Sequence, residues 1–213
     1  MHISDGVLSG PVLVATNGLA VVGVGIGLHK MDYEHAARVG VLSAVFFVAS
    51  LVHVPIPPAS AHLLLIGLMG FLLGWAAFPA LAVALLLQAI IFGLGGLTSL
   101  GANVLIMGIP AMAVHYLFAW RVCAGMPQRP VFALAFAAGV AGIVLTCATA
   151  GVVLFAAGKE FVGAIGMIAL GHVPVAVIEG FVTGSAVAFL YRVRPAFLEA
   201  PLRAHAGKEA PVG

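Results

Sequence analysis

Charged side chains are scarce in this chain of 213 residues, because only 8% are Asp, Glu, Lys or Arg whereas 63% are hydrophobic. A water-soluble domain carries roughly 25% charged residues, so the composition excludes a soluble fold. No charged residue occurs between Arg38 and Arg121, or within residues 6–29 and 130–158. Since a membrane-spanning helix needs about 20 mostly apolar residues, the sequence predicts an all-α, polytopic membrane bundle.

Cysteine pairs, basic patches and a leader are also lacking. Cys123 and Cys147 are not spaced like paired metal ligands. A net charge of +2 without a basic patch excludes nucleic acid as a partner. The N-terminal sequence has neither the basic leader nor the small-residue cleavage motif of a signal peptide. We therefore expect Met1, followed by the bulky His2, to be the first residue of the mature protein.

Turn-forming residues divide the apolar stretches into about seven predicted spans. The breaks are a charged link at 30–38, a proline-rich link at 53–60, a glycine-containing break at 74–79 and a glycine-rich link at 93–101. The predicted transmembrane helices are 8–29, 39–54, 62–77, 79–94, 102–120, 131–157 and 166–191.

The distribution of Lys and Arg predicts the orientation of these spans. With a cytoplasmic C-terminal tail, seven spans place every basic residue except Lys159 on the cytoplasmic side, as the positive-inside rule requires. The N-terminus then faces the outside, together with the proline-rich and glycine-rich links. The predicted organisation is a single membrane domain over residues 1–195 and a cytoplasmic tail over residues 196–213.

One acidic residue falls within the last predicted span. Glu179 lies seven positions after His172, so the two share a helix face. A carboxylate at membrane depth costs about 2.5–3.5 kcal/mol on insertion scales, which predicts that Glu179 faces the bundle interior and pairs with a polar group. The candidates for that partner are Gln88, Asn103 and Asn17. The sequence assigns no definite role to His172 or His53.

The first two residues have the chemistry of a metal chelate. The α-amine of Met1, the amide nitrogen of His2 and its Nδ1 can close two fused chelate rings once the amide is deprotonated. Such a plane of nitrogens suits Ni(II) and Cu(II). His62 begins the third predicted span on the same side as Met1, and its imidazole could complete the plane. The alternative interpretation is that the chain starts with Met-His by chance and that His62 is an ordinary buried histidine.

Four segments resemble a known family. They are Met-His-Ile-Ser-Asp-Gly-Val-Leu at 1–8, the segment 60–70 that contains Ser-Ala-His-Leu, the glycine-rich segment 87–103, and Gly-His-Val-Pro-Val-Ala-Val-Ile-Glu-Gly at 171–180. In this order they resemble the substrate-capture subunits of nickel and cobalt importers, the NikM/CbiM family of energy-coupling-factor transporters. The resemblance covers residues 1 to about 195.

The resemblance implies a seven-helix protein of the bacterial or archaeal cell membrane whose N-terminal segment enters the bundle from outside. It implies that Met1, His2 and His62 hold one transported metal ion, Ni(II) first and Co(II) as the alternative, with no organic cofactor. Asp5 and Ser60 are candidates for orienting the imidazoles. The implied partners are a membrane coupling subunit, two cytoplasmic ATPases and often a small accessory membrane subunit. Ser4, Leu94 and Ile106 depart from the residues common in the family.

Two other classes of function are alternatives to a capture subunit. An intramembrane enzyme is disfavoured because the chain contains neither His-Glu-x-x-His nor Gly-x-Ser-x-Gly. A proton-coupled transporter could use Glu179 and the interior histidines. The chain lacks the Gly-x-x-x-x-Gly-Lys-Ser/Thr loop, so we expect a transporter subunit without its own ATPase and not an enzyme.

Overall fold

The fold is a bundle of α-helices with one short β-hairpin. The structure is a computed structural model that describes residues 2–31, 36–51, 53–56 and 59–198. In these ranges the helices are α1 (Gly10–Lys30), α2 (Ala36–Ala49), α3 (Ile66–Leu73), α4 (Ala77–Phe92), α5 (Leu100–Leu117), α6 (Gln128–Ala157) and α7 (Val162–Val193). The strands are β1 (His53–Ile56) and β2 (Ala59–His62), and short 3-10 turns follow α3, α5, α6 and α7.

Five stretches of the described chain are long and apolar enough to cross a membrane. They are Gly10–Lys30, Ile66–Phe92, Leu100–Arg121, Gln128–Ala157 and Lys159–Val193, and the 14-residue α2 is apolar but shorter. This confirms a helical chain with several candidate membrane spans. The count of seven crossings, the outside N-terminus and the cytoplasmic C-terminus stay predictions.

The outer surfaces of the helices are apolar. Val14, Val152 and Leu170 are 76%, 70% and 75% exposed, respectively, and large apolar surfaces of this kind are unfavourable in water. In α1 the buried positions are Thr16, Ala20, Gly23 and Gly27, which recur every three or four residues and form one face. Helix α1 therefore buries a narrow stripe of small residues and presents its other, mostly apolar faces outward, as a helix in contact with lipid does.

The apolar stretch Ile66–Phe92 reverses direction at Gly74, within the region where the sequence predicts a break. Gly74 has φ +53°, a left-handed conformation that glycine adopts without strain. Its Cα lies against the His115 imidazole, which a Cβ would approach to 3.1 Å. Because α3 starts beside His62 and α4 returns to Gln88, both of which contact His2, α3 and α4 are antiparallel.

The bundle therefore has two distinguishable ends. We call the end that holds His2, His62 and Gln88 the site end. At the opposite end the Lys30 ammonium lies over the Trp75 ring, 5.0 Å from its centroid. Helices α1 and α3 begin at the site end and finish at the opposite end.

Within the described residues, one short β-hairpin interrupts an otherwise helical bundle, which confirms the helical fold class but corrects the end of the predicted span 39–54. Helix α2 ends at Ala49, and the chain then pairs β1 with β2 antiparallel, from His53 opposite His62 to Ile56 opposite Ala59. Proline cannot donate a backbone hydrogen bond, so helix cannot continue through this link, whereas Pro55 is tolerated in a strand with an open edge. The hairpin ends at His62, four residues before the start of α3.

Glycines bring α3, α6 and α7 into backbone contact near the site end. A Cβ on Gly67 would lie 2.5 Å from the Gly139 Cα, and a Cβ on Gly139 would lie 2.5 Å from the Glu179 carbonyl oxygen. Real Cβ atoms do not come this close, so small residues are required at both contacts, as is common where membrane helices pack tightly. The contacts fix α7 relative to the first turn of α3.

The predicted tail at 196–213 lies mostly outside the described residues, which end at 198. Before that point, Pro195–Leu198 forms a 3-10 turn. Arg38 at the start of α2 donates to the Phe197 carbonyl oxygen at 3.1 Å, and its guanidinium lies over the Phe197 ring. The beginning of the predicted tail thus packs on the bundle. The boundary at 195 stays a prediction.

Candidate metal-binding site

The N-terminal segment is held at the site end by the first turn of α5. The Ile3 N–H donates to Asn103 Oδ1 at 2.8 Å, and Asn103 Nδ2 donates back to the Ile3 carbonyl oxygen at 2.9 Å. The Ser99 hydroxyl donates to the same carbonyl oxygen at 2.8 Å. Both backbone polar groups of Ile3 are therefore satisfied by buried side chains, and the residue before it, His2, is held in place.

Asp5 anchors the segment a second time. Its Oδ1 accepts from the Thr98 hydroxyl at 2.6 Å and the Ser99 N–H at 3.0 Å, and its own N–H donates to the Gly95 carbonyl oxygen at 3.1 Å. The Thr98 hydrogen bond holds the pKa of the Asp5 carboxyl below its ordinary value. Because the folded-state pKa is lowered, this anchoring stabilises the docked segment above about pH 4 and is lost as the pH falls through the lowered pKa.

The glycine-rich link makes room for this anchoring. Gly95 and Gly96 have φ +81° and +142°, conformations that other residues rarely adopt. A Cβ on Gly96 would collide with the Asp5 carboxylate, and one on Gly95 would lie 3.6 Å from His2 Cβ. The N-terminal segment can approach this link because side chains are missing there.

His2 and His62 lie next to each other at the site end. Their rings are stacked with centroids 5.1 Å apart and an interplanar angle of 26°, and His62 is buried. An imidazole centroid lies about 3 Å from a metal ion bound to one of its nitrogens. Two rings on one ion therefore have centroids roughly 4–6 Å apart, so the observed spacing suits coordination of a single ion by both histidines.

A directed chain of hydrogen bonds fixes the tautomer of His2. The Ser50 hydroxyl donates to the Phe47 carbonyl oxygen at 2.7 Å and accepts from Gln88 Nε2 at 2.5 Å. Gln88 therefore presents Oε1 to His2 Nε2, at 2.9 Å. An amide oxygen only accepts, so His2 Nε2 carries the proton and the lone pair is on Nδ1. That is the nitrogen which the chelate with Met1 requires.

The partner of Glu179 differs from those that the sequence suggested. Its Oε1 accepts the backbone N–H groups of Leu64 and of Leu65, the latter at 2.7 Å. The first N–H groups of a helix have no acceptor within that helix, and those that precede α3 take this carboxylate. The three expected partners bind elsewhere: Gln88 binds His2 and Ser50, Asn103 binds Ile3, and Asn17 binds Thr98 and Gly101.

The remaining candidates are placed as follows. Met1 lies outside the described residues, and Ser60 stands opposite Pro55 in the hairpin. Asp5 is bonded to the 95–99 link, so its visible role is to hold the segment. Over the described ranges, no group of three or more His, Cys, Asp or Glu side chains could hold a metal ion. A site here needs backbone nitrogens beside the two imidazoles, and the full ligand set stays a prediction.

The apolar helices and the docked histidine pair define a multi-pass membrane protein with a candidate metal site. A family model described as the cobalt uptake substrate-specific transmembrane region, CbiM, matches residues 2–197. The chain therefore belongs to the CbiM family of metal-transport membrane proteins.

Named relatives and solved structures agree with this assignment. A putative metal transport protein of Haemophilus influenzae is 37% identical over 92% of this chain and 95% of its own length. The fused nickel transport protein NikMN of Rhodobacter capsulatus is 38% identical over 98% of this chain and 67% of its own length. The cobalt transport protein CbiM of Sorangium cellulosum is 33% identical over 93% of this chain and 95% of its own length. A crystal structure of a truncated transition metal transporter superposes with TM-score 0.72 at 25% identity, over 90% of this chain and 99% of that one.

Proposed function

We propose that this chain is the substrate-binding membrane subunit of an energy-coupling-factor transporter that captures Ni(II) for ATP-driven import. The metal ion is the substrate, held by the Met1 α-amine, the amide nitrogen and Nδ1 of His2, and the His62 imidazole. The observation that carries the proposal is the contact between the His2 and His62 rings, whose centroids are 5.1 Å apart. These residues come from distant parts of the sequence.

The ligand chemistry favours nickel. Four nitrogen donors in one plane suit Ni(II) and Cu(II), whereas Co(II) gains less from such a field. The relative from Rhodobacter capsulatus is named for nickel and the one from Sorangium cellulosum for cobalt, so cobalt is the alternative substrate. A planar site rejects ions by geometry, because ions that prefer tetrahedral or octahedral surroundings cannot rearrange these fixed nitrogens.

The surrounding residues prepare the plane before the metal arrives. Gln88 keeps the proton on His2 Nε2, and Asn103 fixes the backbone at Ile3. Binding then requires loss of a proton from the His2 amide and from the terminal ammonium, because only deprotonated nitrogens bind metal. Capture therefore releases protons, and the affinity for nickel falls as the solution becomes more acidic.

Replacing His62 tests the proposal. We expect His62→Ala to weaken nickel binding on the order of 100-fold or more, because it removes a donor that closes the plane. The measurement is calorimetric titration of the purified chain with Ni(II) and, separately, with Co(II). His29→Ala is the matched control, because His29 is exposed at the last turn of α1, remote from the site end. Equal nickel affinity in the native chain and His62→Ala would contradict the proposal.

We propose that ATP is hydrolysed by other subunits of the transporter. The chain has no Gly-x-x-x-x-Gly-Lys-Ser/Thr loop, so ATP hydrolysis by that route requires separate ATPases. We propose that its partners are two cytoplasmic ATPases and a membrane coupling subunit. Transporters of this class often contain a small accessory membrane subunit as well. The aligned part of the fused Rhodobacter capsulatus relative is 67% of its length, which leaves room in that protein for a further segment.

Uptake in cells tests this assembly. With all subunits present, we expect cells to accumulate nickel, and we expect uptake to fall to background when the phosphate-loop lysine of the ATPases is replaced. Nickel binding by this purified chain should be unchanged, since the chain itself is unaltered. Uptake that persists without active ATPases and responds to pH would instead indicate a proton-coupled transporter.

A further inference from the structure

Glu179 is a fully buried carboxylate in an apolar surrounding. It lies on α7 with 0% of its side chain exposed. Placing a carboxylate in such an environment is unfavourable unless hydrogen bonds compensate it. The bonds that compensate it therefore show which part of the fold depends on this residue.

Those bonds go to the backbone that connects His62 to α3. Glu179 Oε1 accepts the N–H groups of Leu64 and Leu65, which follow His62 by two and three positions. Hydrogen bonds to a charged acceptor are stronger than neutral ones. Leu65 has φ 49° and ψ 23°, a left-handed conformation that is unfavourable for leucine. The carboxylate thus holds a turn that this sequence would not readily adopt by itself.

The position of Glu179 is itself fixed. The Gly139 Cα on α6 packs against the Glu179 carbonyl oxygen on one side and against Gly67 of α3 on another. A shift of α7 along α6 would break these backbone contacts, because interiors packed to this density resist gradual deformation. The Glu179 carboxylate is therefore a rigid reference point for the turn after His62.

We propose that Glu179 is a positioning residue for metal capture: it holds residues 63–65 so that the His62 imidazole meets His2. This inference rests on the proposed function, because it concerns the same site. Glu179 acts through the backbone of Leu64 and Leu65 and does not touch the metal ion.

The pattern of bonds predicts how substitutions behave. Both N–H groups go to one oxygen of Glu179, so the amide oxygen of glutamine can accept both. Aspartate is shorter by one methylene group and does not reach them, and alanine offers no acceptor. If Glu179 were instead a metal ligand, the ranking of the variants would differ, because glutamine would lack the negatively charged oxygen that binds the metal.

The test is nickel titration of the full-length purified chain with its native N-terminus, together with the visible absorption spectrum of bound nickel. We expect Glu179→Ala to weaken nickel binding about 10–100-fold, as is typical when a group that orients a ligand is lost, and to shift the absorption band. Glu179→Gln should recover most of the affinity and the native band. If Glu179→Ala does not fold, Glu179→Asp takes its place and should show the same loss.

Thr183→Val is the matched control. Thr183 is one helical turn further along α7 and is fully buried, and its hydroxyl has no hydrogen-bond partner within the described part of the chain. We expect this variant to bind nickel with native affinity and to show the native band. Native affinity in both Glu179→Ala and Glu179→Asp would overturn the inference, and so would a Glu179→Gln variant as weak as Glu179→Ala.

Measuring His62→Ala in the same series separates the two proposals. If His62→Ala binds nickel normally, the proposed site is wrong whatever Glu179 does. If His62→Ala loses binding while the Glu179 variants keep it, only the positioning role is wrong. Loss in both, with recovery in Glu179→Gln, supports both.

Discussion

Three glycines added before Met1 are expected to reduce nickel affinity by about 1,000-fold, the largest effect predicted for this chain. A single added residue is avoided because it would place a new terminal amine two residues before His2, where the amine, two amides and the imidazole can bind nickel on their own. The extension leaves every side chain in place but converts the Met1 α-amine into a peptide amide. The five-membered chelate ring that contains the Met1 amine and the His2 amide nitrogen then cannot form, because the amine no longer exists. The measurement is calorimetric titration of the native and extended proteins side by side.

A chain with three glycines added after Gly213 is the matched control, because its length changes equally but the addition is far along the chain from the proposed chelate. It should bind nickel as the native protein does. If the N-terminally extended protein also binds with native affinity, the α-amine is not a ligand. His62 would then have to bind metal with groups other than those proposed.

The helical bundle was largely predictable because its cause is local. Long apolar segments between charged or turn-forming links indicate membrane helices, and α1 at Gly10–Lys30 and α6 at Gln128–Ala157 lie close to the predicted 8–29 and 131–157. The hairpin was not predictable in this way. Its strands have only four residues each. They are defined by pairing with each other, and local hydrophobic patterns carry no information about that pairing.

The candidate site was predictable only in part. Chelate chemistry and family resemblance singled out His2 and His62, and the structure stacks their rings. The partners that prepare them were missed, because a polar residue in an apolar helix predicts a partner without identifying it. Gln88 is bonded to His2 across 86 positions of sequence and Asn103 to Ile3 across 100.

Glu179 shows a different limit. We expected a polar side chain as its partner, whereas it binds backbone N–H groups. Every non-proline residue carries such a donor, so a search among polar side chains cannot find this partner. The groups that bind Glu179 are backbone N–H groups before α3, which have no acceptor within that helix. Their position depends on where the hairpin ends and α3 begins.

Replacing Asn103 is expected to have the second large effect at the site. Asn103 is 2% exposed and bonds both the N–H and the carbonyl oxygen of Ile3. Leucine has a similar volume but no polar atoms, so Asn103→Leu leaves two backbone groups without these partners and releases the segment that carries His2. We expect nickel affinity to fall about 100-fold, and amide hydrogen exchange at residues 3–8 to accelerate.

Aspartate at this position separates the contributions of the two Ile3 bonds. Asn103→Asp keeps an acceptor for the Ile3 N–H but loses the donor to the Ile3 carbonyl oxygen, so its affinity should lie between those of the native chain and Asn103→Leu. Thr146→Val is the control, since Thr146 is equally buried and its hydroxyl donates to the Gly142 carbonyl oxygen of its own helix. Faster exchange at residues 3–8 without loss of nickel affinity would show that docking and capture are independent. The proposed chelate requires docking and capture to be coupled, because the backbone segment that Asn103 holds is the one that would supply its nitrogens.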